Sequence, residues 1–162
     1  LASDGPLAVY GAAGPASQTV AETLSAFFGL RHRGDYLAVL SFLPRTAPVD
    51  AALGRLREAM ARRLDLATLL EVGPRYLHST GQLYKGGRDN GLFLLLTADE
   101  REDLAIPGEP FTFGALKQAQ ALGDFEAMQQ KGRRVLRIHL GSKPEDILPR
   151  LQRVLEDALT RT

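Results

Sequence analysis

Runs of consecutive apolar residues mark the strands that this sequence predicts. The run from Tyr36 to Leu43 is almost continuous and is stopped by Pro44, a pattern typical of a strand that is covered on both faces in a parallel sheet. Further apolar segments predict strands at Leu7–Tyr10, where pairing at an edge is expected, and at Ala67–Val72, Leu92–Thr97 and Val135–Leu140. The chain therefore has five candidate strands.

Apolar residues at three- and four-residue spacing predict helices between these strands. One such pattern begins at Ser17 and ends near Gly29, and a second follows Thr46, whose hydroxyl can cap a helix. A third runs from about Thr112 to Gln130. The last follows a possible capping box of Ser142 and Glu145, and Pro149 indicates that its regular part starts later.

Strands and helices alternate along the chain, with connections long enough for parallel pairing. This order predicts the α/β class, as a three-layer αβα sandwich with a mainly parallel five-stranded sheet. Residues 1–16, rich in Gly, Ala and Pro, are interpreted as an approach segment, and residues 17–162 as a single domain. A chain of 162 residues can bury one core, but it is too short to suggest two.

Composition limits the kinds of partner, membrane segment and metal site that this chain is expected to have. Twenty Lys and Arg residues nearly balance nineteen Asp and Glu residues, so no overall field favours nucleic acid. The apolar runs are far shorter than the roughly 20 residues of a membrane helix, so no membrane span is expected. The absence of cysteine excludes disulfides and a cysteine nucleophile and fits a cytoplasmic location. Three scattered histidines give no support for a metal site.

The first residues predict that the chain was cut from a longer protein. The segment from Leu1 to Gly5 lacks a methionine and has none of the zones of a signal peptide. We therefore expect further sequence before Leu1.

Two titratable residues lie where chemistry is expected in this class of fold. Active sites of open parallel sheets form at the carboxyl ends of strands, and Glu71 closes a predicted strand while His78 follows the Gly73-Pro74 turn. A glutamate and a histidine can serve as the two acid/base groups of a sugar isomerisation. By composition alone, the favoured explanation is structural: Glu71 pairs with a nearby arginine such as Arg75, and His78 satisfies backbone carbonyls.

The spacing of this segment resembles a known signature. Glu71-x-Gly73, then His78-Ser79-x-x-Gln82, is similar to the Glu-x-Gly and Gln-His-Ser/Ala-x-x-Gln pattern of the phosphoglucose isomerase family, except that Leu77 replaces the Gln before His. The run from Gly73 to Gly87, GPRYLHSTGQLYKGG, resembles more specifically the isomerase part of bacterial fused transaldolase/phosphoglucose isomerases. Similar segments follow at 103–108, 113–120, 123–124 and 132–141, so that the resemblance covers about Asp35 to Gly141.

The resemblance implies a sugar isomerase (SIS) domain that interconverts glucose 6-phosphate and fructose 6-phosphate without a cofactor. Glu71 would move a proton between C2 and C1 through a cis-enediol, His78 would assist ring opening, and Lys117 would contact the ring oxygen. The expected substrate-binding residues are Arg75, Ser79, Thr80 and Gln82. Lys85 and Arg88 are expected at the rim or at an interface, since the family holds the phosphate mainly in a first SIS domain.

The same resemblance implies partners and leaves alternatives. The expected partners are a sugar phosphate, an upstream SIS domain with or without a transaldolase domain of the same chain, and a second copy in a homodimer. Alone, the chain is expected to be an incomplete isomerase. The alternatives are a non-catalytic sugar-phosphate-binding or regulatory module, for which Leu77 is the main support, and a domain that serves chiefly in assembly.

Overall fold

A computed structural model of the chain describes residues 2–11 and 19–162. Within these residues one sheet contains the strands β1 (Ala2–Asp4), β2 (Leu7–Tyr10), β3 (Tyr36–Ser41), β4 (Ala67–Val72), β5 (Gly91–Thr97) and β6 (Arg134–His139). The α-helices are α1 (Val20–Gly29), α2 (Ala47–Leu64), α3 (Thr80–Gly86), α4 (Phe113–Gln130) and α5 (Pro144–Thr160), and a 3₁₀ turn at Arg75–His78 precedes α3. No helix in the described ranges has both the length and the apolar character needed to cross a membrane.

The strand order is β1-β2-β6-β5-β3-β4. The last four strands in this order are parallel, whereas β1 and β2 form a hairpin that pairs antiparallel with β6. The α/β class is therefore confirmed, but the predicted mainly parallel five-stranded sheet is wrong, because the sheet is mixed and β1 adds a further strand. Gly5, with φ of 62°, allows the reversal between β1 and β2. The two strands lie in the predicted approach segment, and the predicted boundary at 16/17 and helix start at Ser17 fall outside the described residues.

Threonine hydroxyls cap three of the described helices, and the sequence predicts one of these caps, at Thr46. The backbone N–H groups of Glu22, Val49 and Ala115 donate to the side chains of Thr19, Thr46 and Thr112 respectively. These bonds satisfy N–H groups that have no partner within the helix. The starts of α2 and α4 are thus where the sequence predicts them.

The predicted capping box before α5 is wrong. Glu145 instead forms a 2.6 Å ion pair with Arg101, which also donates to the carbonyl of Ser142. The helix begins at Pro144 and continues through Pro149 rather than starting after it. The ring of Pro149 lies on the exposed face, and burial of the opposite face, where Leu148, Leu151 and Leu155 are at most 3% exposed, outweighs the lost hydrogen bond.

The described residues form two apolar cores, on opposite faces of the sheet. The first core packs α1, α2 and α5 against alternate strand residues, including Leu37, Leu94 and Ile138. The second core lies under α3 and α4 and is smaller; its members include Leu40 and Val135 of the sheet and a group of aromatic rings described below. Because neighbouring strand residues point to opposite faces, Glu71 of β4, which pairs with Leu40, lies on the side of the second core.

A buried ion pair joins β6 to the segment before β3, at the amino end of the sheet. The Arg134 guanidinium donates to Asp35 Oδ2 at 2.5 Å and to the carbonyls of Leu30 and Asp89. The Asp35 side chain is 4% exposed. Burial opposes ionisation of Asp35. Hydrogen bonds from the Arg134 guanidinium and the His32 amide, together with the electrostatic attraction of the Arg134 and His32 side chains, nevertheless hold the pKa of Asp35 below its ordinary value.

We expect Asp35→Asn to lower the free energy of unfolding at pH 7 by about 1–3 kcal/mol, because one charge-assisted bond is lost and Arg134 keeps a poorer partner. A lowered pKa stabilises the fold fully above the ordinary value near 4, and that contribution disappears as the pH falls through the folded-state value. The variant should therefore lose less stability than the wild type as the pH falls below about 4. Urea unfolding at several pH values measures both effects.

The control is Asp89→Asn, which changes a 58% exposed neighbour of the same arginine at 4.0 Å. An exposed pair of this kind is worth less than about 1 kcal/mol. Equal losses at the two positions would contradict a special contribution of Asp35.

Candidate functional site

The polar segment that carries the family-like residues follows β4 at the carboxyl end of the sheet. The Gly73 amide still donates to the Ser41 carbonyl at 2.8 Å, so the ladder with β3 extends one residue past the strand. A Cβ atom at Gly73 would lie 2.5 Å from ring carbons of Phe42. Glycine is therefore required where the chain leaves the sheet, since any side chain would displace the Phe42 ring from the second core.

The Glu71 carboxylate is held by the helix that follows it. The Tyr84 hydroxyl donates to Oε1 of Glu71 at 2.9 Å, and the Thr80 hydroxyl donates to the same oxygen at 3.3 Å. Thr80 and Tyr84 are four residues apart, so they lie on one face of α3. Glu71 is half-buried, and it is not paired with Arg75 in the part of the chain that the structure describes. The described residues therefore do not form the Glu71–Arg75 ion pair that composition alone suggests.

The remaining residues of the motif lie at the surface of the same segment. Arg75, His78 and Gln82 are exposed, and none of the three forms an ion pair or side-chain hydrogen bond with another described residue. The Ser79 hydroxyl donates to the Tyr76 carbonyl at 3.3 Å. Three side chains of the segment are therefore available to a ligand, while Ser79 takes part in the local turn.

Leu77, which replaces the expected Gln, has a packing role. Its side chain is half-buried and packs against the second core. An amide at this position would need a hydrogen-bond partner that an apolar core does not provide. The departure from the family pattern is therefore consistent with the surroundings of the residue.

A buried carboxylate connects the segment to α4. Asp124 is 5% exposed, and it accepts a hydrogen bond of 2.6 Å from the Tyr76 hydroxyl and one from the Lys85 ammonium. Tyr76 precedes α3 and Lys85 lies in its last turn, so the two bonds hold the segment against α4 near both of its ends. Lys85, expected at the rim or at an interface, is paired with Asp124, and its side chain is 20% exposed.

Aromatic rings fill the space between Glu71 and Asp124. The Tyr84 ring lies 5.1 Å from that of Phe93 and 6.2 Å from those of Tyr76 and Tyr36. Burial and the bond to Glu71 raise the pKa of Tyr84 to about 12, and burial and Asp124 raise the pKa of Tyr76 further. Both hydroxyls therefore remain protonated at neutral pH, as donors to a carboxylate must.

Lys117 lies away from Glu71. It is in the first turns of α4, and its ammonium pairs with Glu100 after β5. Strand β3 separates β4 from β5 in the sheet. The structure thus brings the Thr80 hydroxyl into contact with Glu71. His78 lies on the same segment without a hydrogen bond to Glu71, and Lys117 is paired elsewhere.

A cavity of 480 Å³ lies at the carboxyl ends of β3, β5 and β6, next to the first turns of α2 and α5. Its ionisable lining residues are Asp99, Glu100, Arg101, Glu102 and Glu145. Four of these five are acidic, and Arg101 is already paired with Glu145, so the lining disfavours a phosphate group. None of the predicted site residues lines this cavity. In the described ranges no group of three or more His, Asp or Glu side chains is placed to hold a metal ion.

Sequence reasoning missed Tyr84, Tyr76 and Asp124. Tyr84 had a detectable signal, because it lies four residues after Thr80, the spacing that puts two side chains on one face of a helix. Asp124 had a weaker one, a charged residue within a helix whose neighbours Ala121, Phe125 and Met128 are apolar. The pairing of Asp124 with residues about 40 positions earlier could not be read from either pattern.

Comparisons with known proteins identify the fold alone. No family profile matches the chain, and no curated protein matches its sequence. Among solved structures, the chain is similar to the hypothetical protein TT0462 from Thermus thermophilus, with a TM-score of 0.73 and 16% sequence identity. The match covers 87% of this chain and 39% of that protein, so the chain spans about two fifths of its neighbour's length.

We expect Asp124→Ala to lower the free energy of unfolding by about 2–4 kcal/mol, because it leaves a mostly buried ammonium and a buried hydroxyl without their acceptor. The midpoint of urea unfolding, converted with the slope of the transition, measures the loss. Glu126→Ala is the matched control, since Glu126 is exposed on the same helix and should change stability by less than about 0.5 kcal/mol. An Asp124→Ala protein as stable as this control would show that the carboxylate does not hold the segment.

Proposed function

We propose that this chain is a sugar isomerase domain that takes part in the interconversion of glucose 6-phosphate and fructose 6-phosphate. The observation that carries the proposal is the position of Glu71. Glu71 is the penultimate residue of β4, near the carboxyl end of the strand. Its carboxylate is held by Thr80 and Tyr84, on the segment that also carries His78. This combination matches the residues through which the sequence resembles the phosphoglucose isomerase family.

In the proposed reaction Glu71 takes the proton from C2 of the open-chain aldose. The electron pair of the broken C–H bond forms the C1=C2 bond of a cis-enediol, and the carbonyl oxygen on C1 takes up a proton from solvent. Glu71 then returns its proton to C1, and the hydroxyl on C2 releases a proton as it becomes the ketose carbonyl. A positioned side chain of this kind typically accelerates proton transfer by about 10²–10⁴-fold.

The other residues of the segment have separate roles in the proposal. His78, exposed and without a partner among the described residues, assists ring opening. Arg75 and Gln82 are free to bind substrate hydroxyl groups, whereas Ser79 contributes by shaping the turn. Lys117 would have to exchange Glu100 for the ring oxygen in order to act. No cofactor is needed for these steps.

This site is proposed to be half of a complete one. The acidic lining of the cavity at the strand ends gives no support for holding phosphate there, and the family resemblance places phosphate binding in a first SIS domain. We therefore propose that an upstream SIS domain, with or without a transaldolase domain before it, completes the site, and that the enzyme is a cytoplasmic homodimer. Isolated residues 1–162 should then bind substrate weakly and turn it over negligibly.

The alternative is a module that binds sugar phosphates without converting them. The observation that favours it is Leu77, which packs into the second core where the family places a polar residue. A site that has lost one orienting hydrogen bond can still bind a sugar phosphate after it has lost the ability to convert it.

We expect Glu71→Gln to lower kcat in the full-length protein by at least about 10³-fold, since glutamine cannot accept the C2 proton. A coupled assay of fructose 6-phosphate formation measures the rate, and unchanged urea unfolding excludes a folding defect. The matched control, Glu126→Gln on the exposed face of α4, should keep the wild-type rate. A fully active Glu71→Gln enzyme would eliminate Glu71 as the base.

A thermal-shift titration of the full-length protein with glucose 6-phosphate separates the isomerase from the binding module. We expect the melting temperature to rise with ligand concentration, as binding to the native state alone requires, and the same preparation to be active as an isomerase. A rise in melting temperature without turnover would favour the module and contradict the isomerase.

A further inference from the structure

The two oxygens of the Glu71 carboxylate have different surroundings. Oε1 accepts both hydrogen bonds, from the hydroxyls of Tyr84 and Thr80. In the described part of the chain no donor lies within hydrogen-bond distance of Oε2. A carboxylate that is held through one oxygen keeps the lone pairs of the other for a ligand.

The stronger of these two donors is rigid. Tyr84 is 2% exposed, and the rings of Phe93, Tyr76 and Tyr36 lie within 6.2 Å of its own. Its 2.9 Å bond to Oε1 is also the shorter of the two. A phenol fixed in this way has only its hydroxyl rotor free, so it directs one proton to one oxygen with little loss of entropy.

Thr80 fixes the same oxygen from a second direction. Its hydroxyl lies one helical turn before that of Tyr84, and α3 is itself held against α4 through Lys85 and Asp124. Rotation of the carboxylate about its last bond would break both bonds to Oε1. Their combination therefore selects one orientation of the group.

We propose that Tyr84, assisted by Thr80, is a positioning residue that occupies Oε1 and thereby assigns the transfer of the sugar proton to Oε2 of Glu71. This inference rests on the proposed isomerase function. Neither residue exchanges a proton with the substrate: the C2 proton passes to Oε2 and returns from Oε2 to C1. The role of Tyr84 is geometric, and its loss should act on the chemical step rather than on binding.

The first test is spectroscopic and independent of activity. In the 162-residue chain labelled with [ζ-¹³C]tyrosine, the four tyrosine signals are assigned by single Tyr→Phe substitutions. At pH 7 we expect Glu71→Gln to move the Tyr84 signal, because its acceptor changes from a carboxylate to an amide, and to leave the Tyr36 signal in place. An unmoved Tyr84 signal would overturn the proposal.

The second test is kinetic and uses the full-length protein. Tyr84→Phe should lower kcat about tenfold or more with KM changed less than about twofold, as expected when a reacting group is misplaced but the substrate is still bound. Tyr36→Phe is the matched control, since it removes a hydroxyl from the same aromatic group without a bond to Glu71, and both constants should stay within about twofold of the wild type. An equal effect of the two variants would overturn the positioning role.

A second residue keeps the kinetic test decisive if Tyr84→Phe does not fold. Thr80→Val should lower kcat about two- to fivefold, and Thr80→Ser, which keeps the hydroxyl, should restore it. Failure of Thr80→Ser to restore the rate would overturn the hydrogen-bond explanation. Absence of turnover by the wild-type full-length protein would overturn the proposed function and with it the role of Oε2, whereas the NMR result would still show whether Tyr84 contacts Glu71.

Discussion

Two-sided burial of the central strands is the constraint on which this structure depends. All seven residues of β5 and five of the six in β3 are buried, so both faces of the sheet must be covered, and helices occupy both. Three helices cover the first core, which contains the larger share of the buried residues. In the described part of the chain, α3, the 3₁₀ turn before it and α4 cover the second core, which is correspondingly smaller.

The layer of helices over the second core is stabilised by polar contacts as well as by apolar packing. Asp124 accepts bonds from Tyr76 and Lys85, and the aromatic rings between them fill the second core. Each of these polar atoms is satisfied, as a low-polarity interior requires. The consequence is that the segment after β4 has a defined position, although its outer residues, Arg75, His78 and Gln82, are exposed.

The candidate site combines one carboxylate that the domain holds in place with exposed side chains that have no partner among the described residues. Glu71 has its orientation set by α3, whereas His78 has no partner within the described residues. Under the proposed function, a carboxylate fixed by the domain itself beside exposed groups would suit a site that another domain completes. The acidic cavity is lined by other residues. The structural neighbour, of which this chain covers 39%, establishes the fold but carries no evidence about the reaction.

The sequence by itself determined the α/β class, the four parallel strands and the starts of α2 and α4, because local apolar periodicity and threonine caps act within a few residues. It also identified Glu71 as a polar residue at a strand end. Only the tertiary structure decided that β1 and β2 make the sheet mixed, that Glu145 pairs with Arg101 instead of capping α5, and that Lys117 is paired with Glu100. It also decided which residues hold Glu71. Asp124 meets Tyr76 across 48 positions, and contacts at that separation depend on which faces the helices pack, information that no local pattern contains.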